Sequence, residues 1–224
     1  MIILGLTGSI GMGKTAAAEN FRRLGVPVHD ADKTVHGLLA KNGEAVELVK
    51  KLFPGAEKKG AIDREKIASE VFNNPEALAR IESILHPLVR RRERSFLEIA
   101  ARKGHRLAVV DVPLLFETGG EARCDAVVVV SAPGFLQEQR VLGRPGMTRE
   151  RLDSIRVRQM PDAEKRRRAD FVVLTGLGRD FGLLQILNIV KITRNWRGSH
   201  WPPRPNVRGQ HLARSGPRYG NHRA

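Results

Sequence analysis

A glycine-rich segment near the start of the chain has the residue types that bind phosphate. Residues 8–15 (GSIGMGKT) match the pattern G-x-x-x-x-G-K-[ST]. Its glycines let backbone N–H groups turn towards a β-phosphate, Lys14 can bridge the β- and γ-phosphates, and the Thr15 hydroxyl can bind Mg²⁺. An apolar run precedes the segment and a helical pattern follows it, which is the context that such a loop requires. The sequence therefore predicts a binding site for a nucleoside triphosphate, and we expect ATP.

Carboxylates occur where two further predicted strands end. Asp30 and Asp32 follow the second apolar run, and Asp111 ends the third. Ligands of open α/β sheets bind at the carboxyl ends of the strands, so we expect these side chains near the phosphate. Asp30 and Asp32 could accept a proton from a hydroxyl or bind Mg²⁺ through water, although one of them could simply cap the next helix. Asp111 could hold Mg²⁺, and its alternative role is a cap at the strand end.

Two other segments have side chains that could act on a substrate. Residues 113–117 (PLLFE) form a turn in which Pro113, Leu114 and Phe116 could pack against a flat substrate group or belong to the core. Residues 144–168 are polar and rich in arginine. A short chain with a basic segment before its last strand is typical of a kinase whose arginine lid closes over the nucleotide.

The elements that would position these residues alternate between strands and helices. Predicted strands cover residues 2–7, 26–30, 106–112, 125–131 and 170–175, and predicted helices cover 13–24, 133–142 and an unusually apolar 177–192. This alternation predicts a parallel sheet with right-handed crossovers. The fold class is α/β, a three-layer P-loop NTPase fold with five parallel strands.

The segment between the second and third strands, residues 31–103, is far longer than the dozen or so residues that a crossover needs. Its pattern is helical, with breaks near Gly43, at 53–55, at 73–75 and at His86-Pro87. We expect this insertion to cover a substrate. The domain would then span residues 1–193, with a core of 1–30, 104–142 and 169–193, the insertion at 31–103 and the lid at 143–168.

The charge is distributed unevenly along the chain. The formal net charge is +15, but residues after Asp180 contribute eight cations and no carboxylate, which leaves 15 − 8 = +7 for the body. Residues 194–224 are rich in Pro, Gly, Arg and His, so we predict a disordered basic tail. This tail could bind RNA, but the simpler interpretation is an extension without a selected role, such as one from a shifted reading frame.

Composition also limits the cell compartment and the kinds of site. One cysteine, Cys124, excludes an internal disulfide and a cysteine-only metal site. The N-terminus lacks the pattern of a signal peptide, and no apolar run has the length of a membrane span. We therefore expect a soluble cytoplasmic protein without a membrane partner, and the sequence leaves its oligomeric state open.

Taken in order, six segments resemble the dephospho-CoA kinase family. They are GLTGSIGMGKT at the start, DAD, ILHPLV (84–89), DVPLLFE (111–117), QRVLGR (139–144) and RQMPDAEKRRRADFVV (158–173). The resemblance covers residues 1 to 176, and it departs from the family at Pro145 and after Thr175. Only the first segment, the phosphate-binding loop, is a specific motif by itself. The six segments in this order are specific for the family.

The resemblance implies a definite reaction: transfer of the γ-phosphate of ATP, with Mg²⁺, to the ribose 3′-hydroxyl of dephospho-CoA, which yields coenzyme A and ADP. Asp32 would be the general base with Asp30 beside it, and His86 would lie on the CoA side. Arg140 and Arg144 would close over the triphosphate. The implied nucleotide-binding residues are Gly8, Gly11, Met12, Gly13, Lys14, Thr15 and Ala16.

Two other functions stay open at this point. A P-loop kinase for another small hydroxyl compound, such as a nucleoside, would use the same loop and the same pair of aspartates. A nucleic-acid-binding NTPase is suggested by the net charge of +15, about half of which lies after Asp180.

Overall fold

A computed structural model describes residues 1–71 and 74–202 of the chain. Its strands are β1 (Ile2–Thr7), β2 (Val28–Asp30), β3 (Glu57–Lys58), β4 (Ala61–Ile62), β5 (Leu107–Asp111), β6 (Ala126–Ser131) and β7 (Phe171–Leu174). Its helices are α1 (Lys14–Arg23), α2 (Ala31–Leu39), α3 (Val46–Leu52), α4 (Arg64–Val71), α5 (Pro75–Arg102), α6 (Gly134–Leu142), α7 (Arg149–Arg158), α8 (Asp162–Arg168) and α9 (Arg179–Thr193). Short 3₁₀ turns occur at Pro54–Ala56 and Gly120–Arg123.

Five strands form one parallel sheet in the order β2-β5-β1-β6-β7, which confirms the predicted fold class. Every residue of β1, β5 and β6 is buried, as expected for strands that are covered on both faces. Phe21 of α1 and Ile186 of α9 pack on one face, whereas Leu97 of α5 packs on the other. These helix layers pack against the strands, and the strand ends carry the candidate site.

The insertion has a hydrophobic core of its own. Leu38, Val49, Ile67 and Ile81, which lie on α2, α3, α4 and α5, meet in one buried cluster. A small antiparallel hairpin, β3–β4, closes this cluster. We did not predict the hairpin, because two-residue strands are too short to show an alternating pattern.

The predicted break at His86-Pro87 is wrong. Helix α5 is continuous through Pro87, and Leu88 and Ile81 lie on its buried side. Proline disfavours a helix interior, but here burial of the apolar stripe keeps the helix intact on both sides of it. The predicted break at 73–75 lies partly outside the described residues, and Asn74 caps α5 by accepting a bond from Ala77 N–H.

Residues 194–202 contact the body of the protein, in contrast to the expectation of disorder from Arg194 onwards. The Trp196 ring stacks on Phe171 with centroids 5.8 Å apart. Asp125 accepts hydrogen bonds from the N–H and hydroxyl of Ser199. Aromatic packing and these bonds order a segment whose composition alone indicated a tail. The prediction for residues 203–224 lies outside the described residues. Within residues 1–71 and 74–202, no helix has the length and apolar character needed to span a membrane.

Candidate active site

The phosphate-binding loop connects β1 to α1, and its glycines are required by close packing. A side chain at Gly8 would lie 2.7 Å from the Val130 carbonyl oxygen, and one at Gly13 would lie 2.9 Å from the Thr175 hydroxyl. Gly11 and Gly13 also have φ values of +77° and +90°, which disfavour other residues. Gly13 is the N-cap of α1, so the positive end of that helix points into the loop. The geometry is that of an anion cradle.

Lys14 forms an ion pair across this cradle. Its ammonium lies 2.7 Å from the carboxylate of Asp111, which is almost fully buried. Burial raises the pKa of Asp111 above its ordinary value, Lys14 opposes that rise, and the negative charges of Asp30 and Asp32 add to it. The three carboxylates and the lysine thus share one electrostatic environment. An incoming polyphosphate could replace Asp111 as the partner of Lys14.

Asp30 and Asp32 have different positions within that environment. Asp30 pairs in register with Asp111 between β2 and β5. Its carboxylate accepts a hydrogen bond from Lys33 N–H at 2.9 Å, so Asp30 is the helix cap that we considered. Asp32 lies exposed in the first turn of α2, and its carboxylate has no hydrogen bond or ion pair with the described residues. Asp32 is therefore the carboxylate that can meet a substrate hydroxyl.

The donor set fits a magnesium ion that is bound mainly through its nucleotide. Thr15 is exposed in the first turn of α1, and Ala16 is exposed beside it. Within the described residues, no three His, Cys, Asp or Glu side chains form a metal-binding group. Mg²⁺ is commonly bound by one or two protein oxygens together with phosphates and water. A hydroxyl at Thr15 and a carboxylate at Asp111 match that pattern.

The turn after β5 divides into exposed and buried parts. Leu114 is exposed and Pro113 is half-buried, with its carbonyl oxygen accepting a bond from the Thr7 hydroxyl at 2.9 Å. Phe116 is buried in the core, and the Arg168 guanidinium lies 4.6 Å from its ring centroid. Pro113 and Leu114 are thus at least partly accessible to solvent, whereas Phe116 occupies the core position that we considered as its alternative.

The candidate residues outside the loop are spread more widely. His86 is exposed on α5, and Arg144 is exposed between α6 and α7. Arg140 does not extend freely over the cradle, because its guanidinium donates to the carbonyl oxygens of Gly11 at 3.3 Å and Thr175 at 2.9 Å. The structure brings Arg140 to the outer side of the loop.

Two side chains to which the sequence assigned no role connect the segment 143–168 to the rest of the protein. Lys165 is completely buried and lies 2.8 Å from the Glu117 carboxylate. Gln159 accepts a hydrogen bond from Ile10 N–H at 3.1 Å. Gln159 and Lys165 both lie in the segment that resembles the family's lid, but the sequence assigned no role to either, because burial and long-range contacts leave no local pattern.

Comparisons with known proteins relate the chain to one family. A family model described as Dephospho-CoA kinase matches residues 2–177. A protein of Paramagnetospirillum magneticum named Dephospho-CoA kinase is 61% identical over 166 residues, which cover 74% of this chain and 78% of the relative. A Brucella melitensis protein of the same name is 53% identical over 190 residues, which cover 85% of this chain and 94% of the relative.

Solved structures extend the likeness to three dimensions. The crystal structure of TT1252 from Thermus thermophilus matches with a TM-score of 0.75 and 37% identity, covering 85% of this chain and 96% of that one. A dephospho-CoA kinase from Campylobacter jejuni matches with a TM-score of 0.55 and 25% identity, with the same two coverages of 85% and 96%.

Proposed function

The chain belongs to the dephospho-CoA kinase family, and from that membership we propose that it transfers the γ-phosphate of ATP to the ribose 3′-hydroxyl of dephospho-CoA. The products are coenzyme A and ADP, so this is the last step of coenzyme A synthesis. One observation supports the proposal above the others. Lys14, Asp111 and the Asp30/Asp32 pair lie together at the carboxyl edge of the sheet, beside a loop whose backbone N–H groups can bind phosphate.

Lys14 changes partner during binding. Its ammonium is paired with Asp111 at 2.7 Å, and an incoming triphosphate would offer it the β- and γ-phosphate oxygens instead. The N–H groups of Gly11 and of residues 13–16, together with the positive end of α1, bind the same phosphates. When bound, Mg²⁺ would be held by Thr15 and Asp111 and would neutralise charge on the phosphates.

Asp32 acts on the acceptor. Its exposed carboxylate accepts the proton of the 3′-hydroxyl as the oxygen attacks phosphorus, and Asp30 is fixed beside it by its cap on α2. The hydroxyl oxygen forms its bond to phosphorus while the bond to the β–γ bridging oxygen breaks and ADP leaves. In phosphoryl transfer the protein contributes mainly by positioning the two substrates and by stabilising the charge on the phosphates.

The rest of the acceptor would contact the insertion and the turn after β5. We assign the CoA side to the face that carries His86 on α5, and to Pro113 and Leu114 beside β5. Arg144, exposed between α6 and α7, would come over the triphosphate when the segment 143–168 moves as a lid. A planar guanidinium suits this role because it binds phosphate oxygens in pairs. The cytoplasm, where ATP is available, is the place we propose for the reaction.

A panel of acceptors tests this assignment. Purified protein with Mg-ATP would be given dephospho-CoA, adenosine or shikimate, and ADP release would be followed with each. Mass spectrometry and phosphorus NMR would locate the new phosphate. We expect turnover with dephospho-CoA and a 3′-phosphorylated product. Faster turnover with another acceptor, or a phosphate at another position, would overturn the proposal.

A further inference from the structure

Three successive carbonyl groups of the phosphate-binding loop are held from outside. The Ile10 oxygen accepts from Gln137 Nε2 at 2.8 Å, the Gly11 oxygen from Arg140 Nη1 at 3.3 Å, and the Met12 oxygen from the Thr175 hydroxyl at 2.7 Å. Two of these donors lie on α6, and Thr175 directly follows β7. We call Gln137, Arg140 and Thr175 the carbonyl bracket.

The bracket sets the direction of the N–H groups that follow each carbonyl. A trans peptide is planar, so its C=O and the N–H of the next residue point in opposite directions. With the carbonyls of residues 10–12 turned towards α6 and Thr175, the N–H groups of residues 11–13 turn to the inner side. Met12 N–H closes a turn on the Ser9 oxygen at 3.1 Å, which leaves Gly11 and Gly13 as the donors aimed at the cradle.

Packing on the outer side leaves the loop little room to rotate its peptides. A side chain at Gly11 would lie 2.6 Å from Val141 Cγ2 and 3.0 Å from the Gln137 carbonyl oxygen. The corresponding atom at Gly13 would meet Thr175. The loop therefore packs directly against α6 and Thr175, which carry the bracket.

The bracket is itself fixed by neighbouring groups. Arg156 Nη2 donates to Gln137 Oε1 at 2.8 Å, which directs Gln137 Nε2 to the loop. Arg140 donates to both the hydroxyl and the carbonyl oxygen of Thr175, at 3.0 and 2.9 Å. Gln137 is 5% exposed, so its amide is almost removed from competing water.

We propose that Gln137, Arg140 and Thr175 are positioning residues that preset the loop's N–H donors for the β-phosphate. Arg140 then acts through the loop instead of on the phosphate. The inference rests on the proposed binding of nucleotide at this loop. Presetting matters because donors already aimed at a phosphate need no reorganisation when it binds. Arg156, and Gln159 through its bond to Ile10 N–H, link the bracket to the end of α7.

A pair of substitutions at Thr175 separates the hydroxyl from the shape of the side chain. Thr175→Val keeps the volume and removes the donor to Met12, whereas Thr175→Ser keeps the donor. We expect the Kd of Mg-ADP, measured by calorimetry, to rise about three- to tenfold in Thr175→Val, as the loss of one partly buried hydrogen bond predicts. Thr175→Ser should restore most of that affinity.

Thr193→Val is the matched control. Thr193 is a buried threonine whose hydroxyl, like that of Thr175, donates to a backbone carbonyl, that of Ile189 at 2.8 Å, but it lies at the end of α9 away from the loop. The Thr193→Val substitution should lower the melting temperature while leaving the Kd of Mg-ADP unchanged. Gln137→Met, at the other end of the bracket, should weaken Mg-ADP as Thr175→Val does, and it decides the question if Thr175→Val fails to fold.

Wild-type affinity for Mg-ADP in both folded bracket variants would overturn the inference, as would an equal loss in Thr193→Val. The measurement needs no acceptor. A protein that binds Mg-ADP but does not phosphorylate dephospho-CoA would refute the proposed function and still leave this comparison decisive.

Discussion

Replacing Lys165 by methionine should destabilise the protein strongly. The Lys165 ammonium is fully buried and lies 2.8 Å from Glu117 Oε1 and 3.4 Å from the Pro113 carbonyl oxygen. The Glu117 side chain is only 17% exposed, and its other carboxylate oxygen has no hydrogen-bond partner among the described residues. In Lys165→Met that carboxylate keeps only the N–H of Met160, at 2.8 Å.

The magnitude follows from leaving a buried charge without its partner. Breaking a buried ion pair from one side costs about 3–5 kcal/mol, and the small exposure of Glu117 places this case at about 3 kcal/mol. Urea unfolding at pH 7 would measure the change. The double variant Lys165→Met/Glu117→Gln removes the uncompensated charge as well, so we expect it to regain part of the loss.

Arg166→Met is the matched control, because Arg166 is the exposed next residue of α8 and should change the free energy of unfolding by less than about 0.5 kcal/mol. A loss below about 1 kcal/mol in Lys165→Met would refute the reasoning. So would a double variant as unstable as the single one, since the loss would then come from packing instead of charge.

Three other outcomes follow from the same structure. Gly13→Ala should reduce ATP binding with little change in secondary structure, because its new methyl would lie 2.9 Å from the Thr175 hydroxyl at a φ of +90°; unchanged binding would contradict the packing argument. Cys124 should resist thiol reagents until the protein unfolds, since burial raises its pKa to about 12; rapid labelling of the native protein would contradict that. Burial raises the pKa of Glu117, but hydrogen bonds from Lys165 and Met160 N–H outweigh it and hold the pKa below its ordinary value. The ionised carboxylate thus stabilises the fold above about pH 4.5, and this contribution is lost as the pH falls through the lowered pKa. Acid titrations of stability should therefore differ between wild type and Glu117→Gln below that pH, and identical curves would exclude the effect.

The elements that were predictable from the sequence are those whose signal is local. The loop at 8–15 and the strands that end at Asp30 and Asp111 need only a motif, an apolar run and the rule that ligands bind at strand ends. The continuous helix through Pro87 was not predictable, because its support comes from the cluster around Leu88 and Ile81.

The carbonyl bracket around the loop could not be predicted from the sequence either. Gln137 and Thr175 lie more than 120 residues from the carbonyl groups that they hold, and neither residue type marks such a role in a sequence. Arg140 was predicted from the sequence as a site residue, but its bonds to the Gly11 and Thr175 carbonyl oxygens could not be predicted. Long-range polar contacts of this kind depend on the fold, and a single sequence carries no pattern for them.

Asp32→Asn gives the most direct test of the central claim, that the exposed carboxylate at the start of α2 takes the proton of the 3′-hydroxyl. Asp63→Asn is its control, because Asp63 also lies at a helix start and its capping bonds survive the change. With Mg-ATP and dephospho-CoA, kcat for Asp32→Asn should fall by about a hundredfold or more, with the Kd of Mg-ADP unchanged. Near wild-type kcat in Asp32→Asn, or an equal fall in Asp63→Asn, would contradict the account.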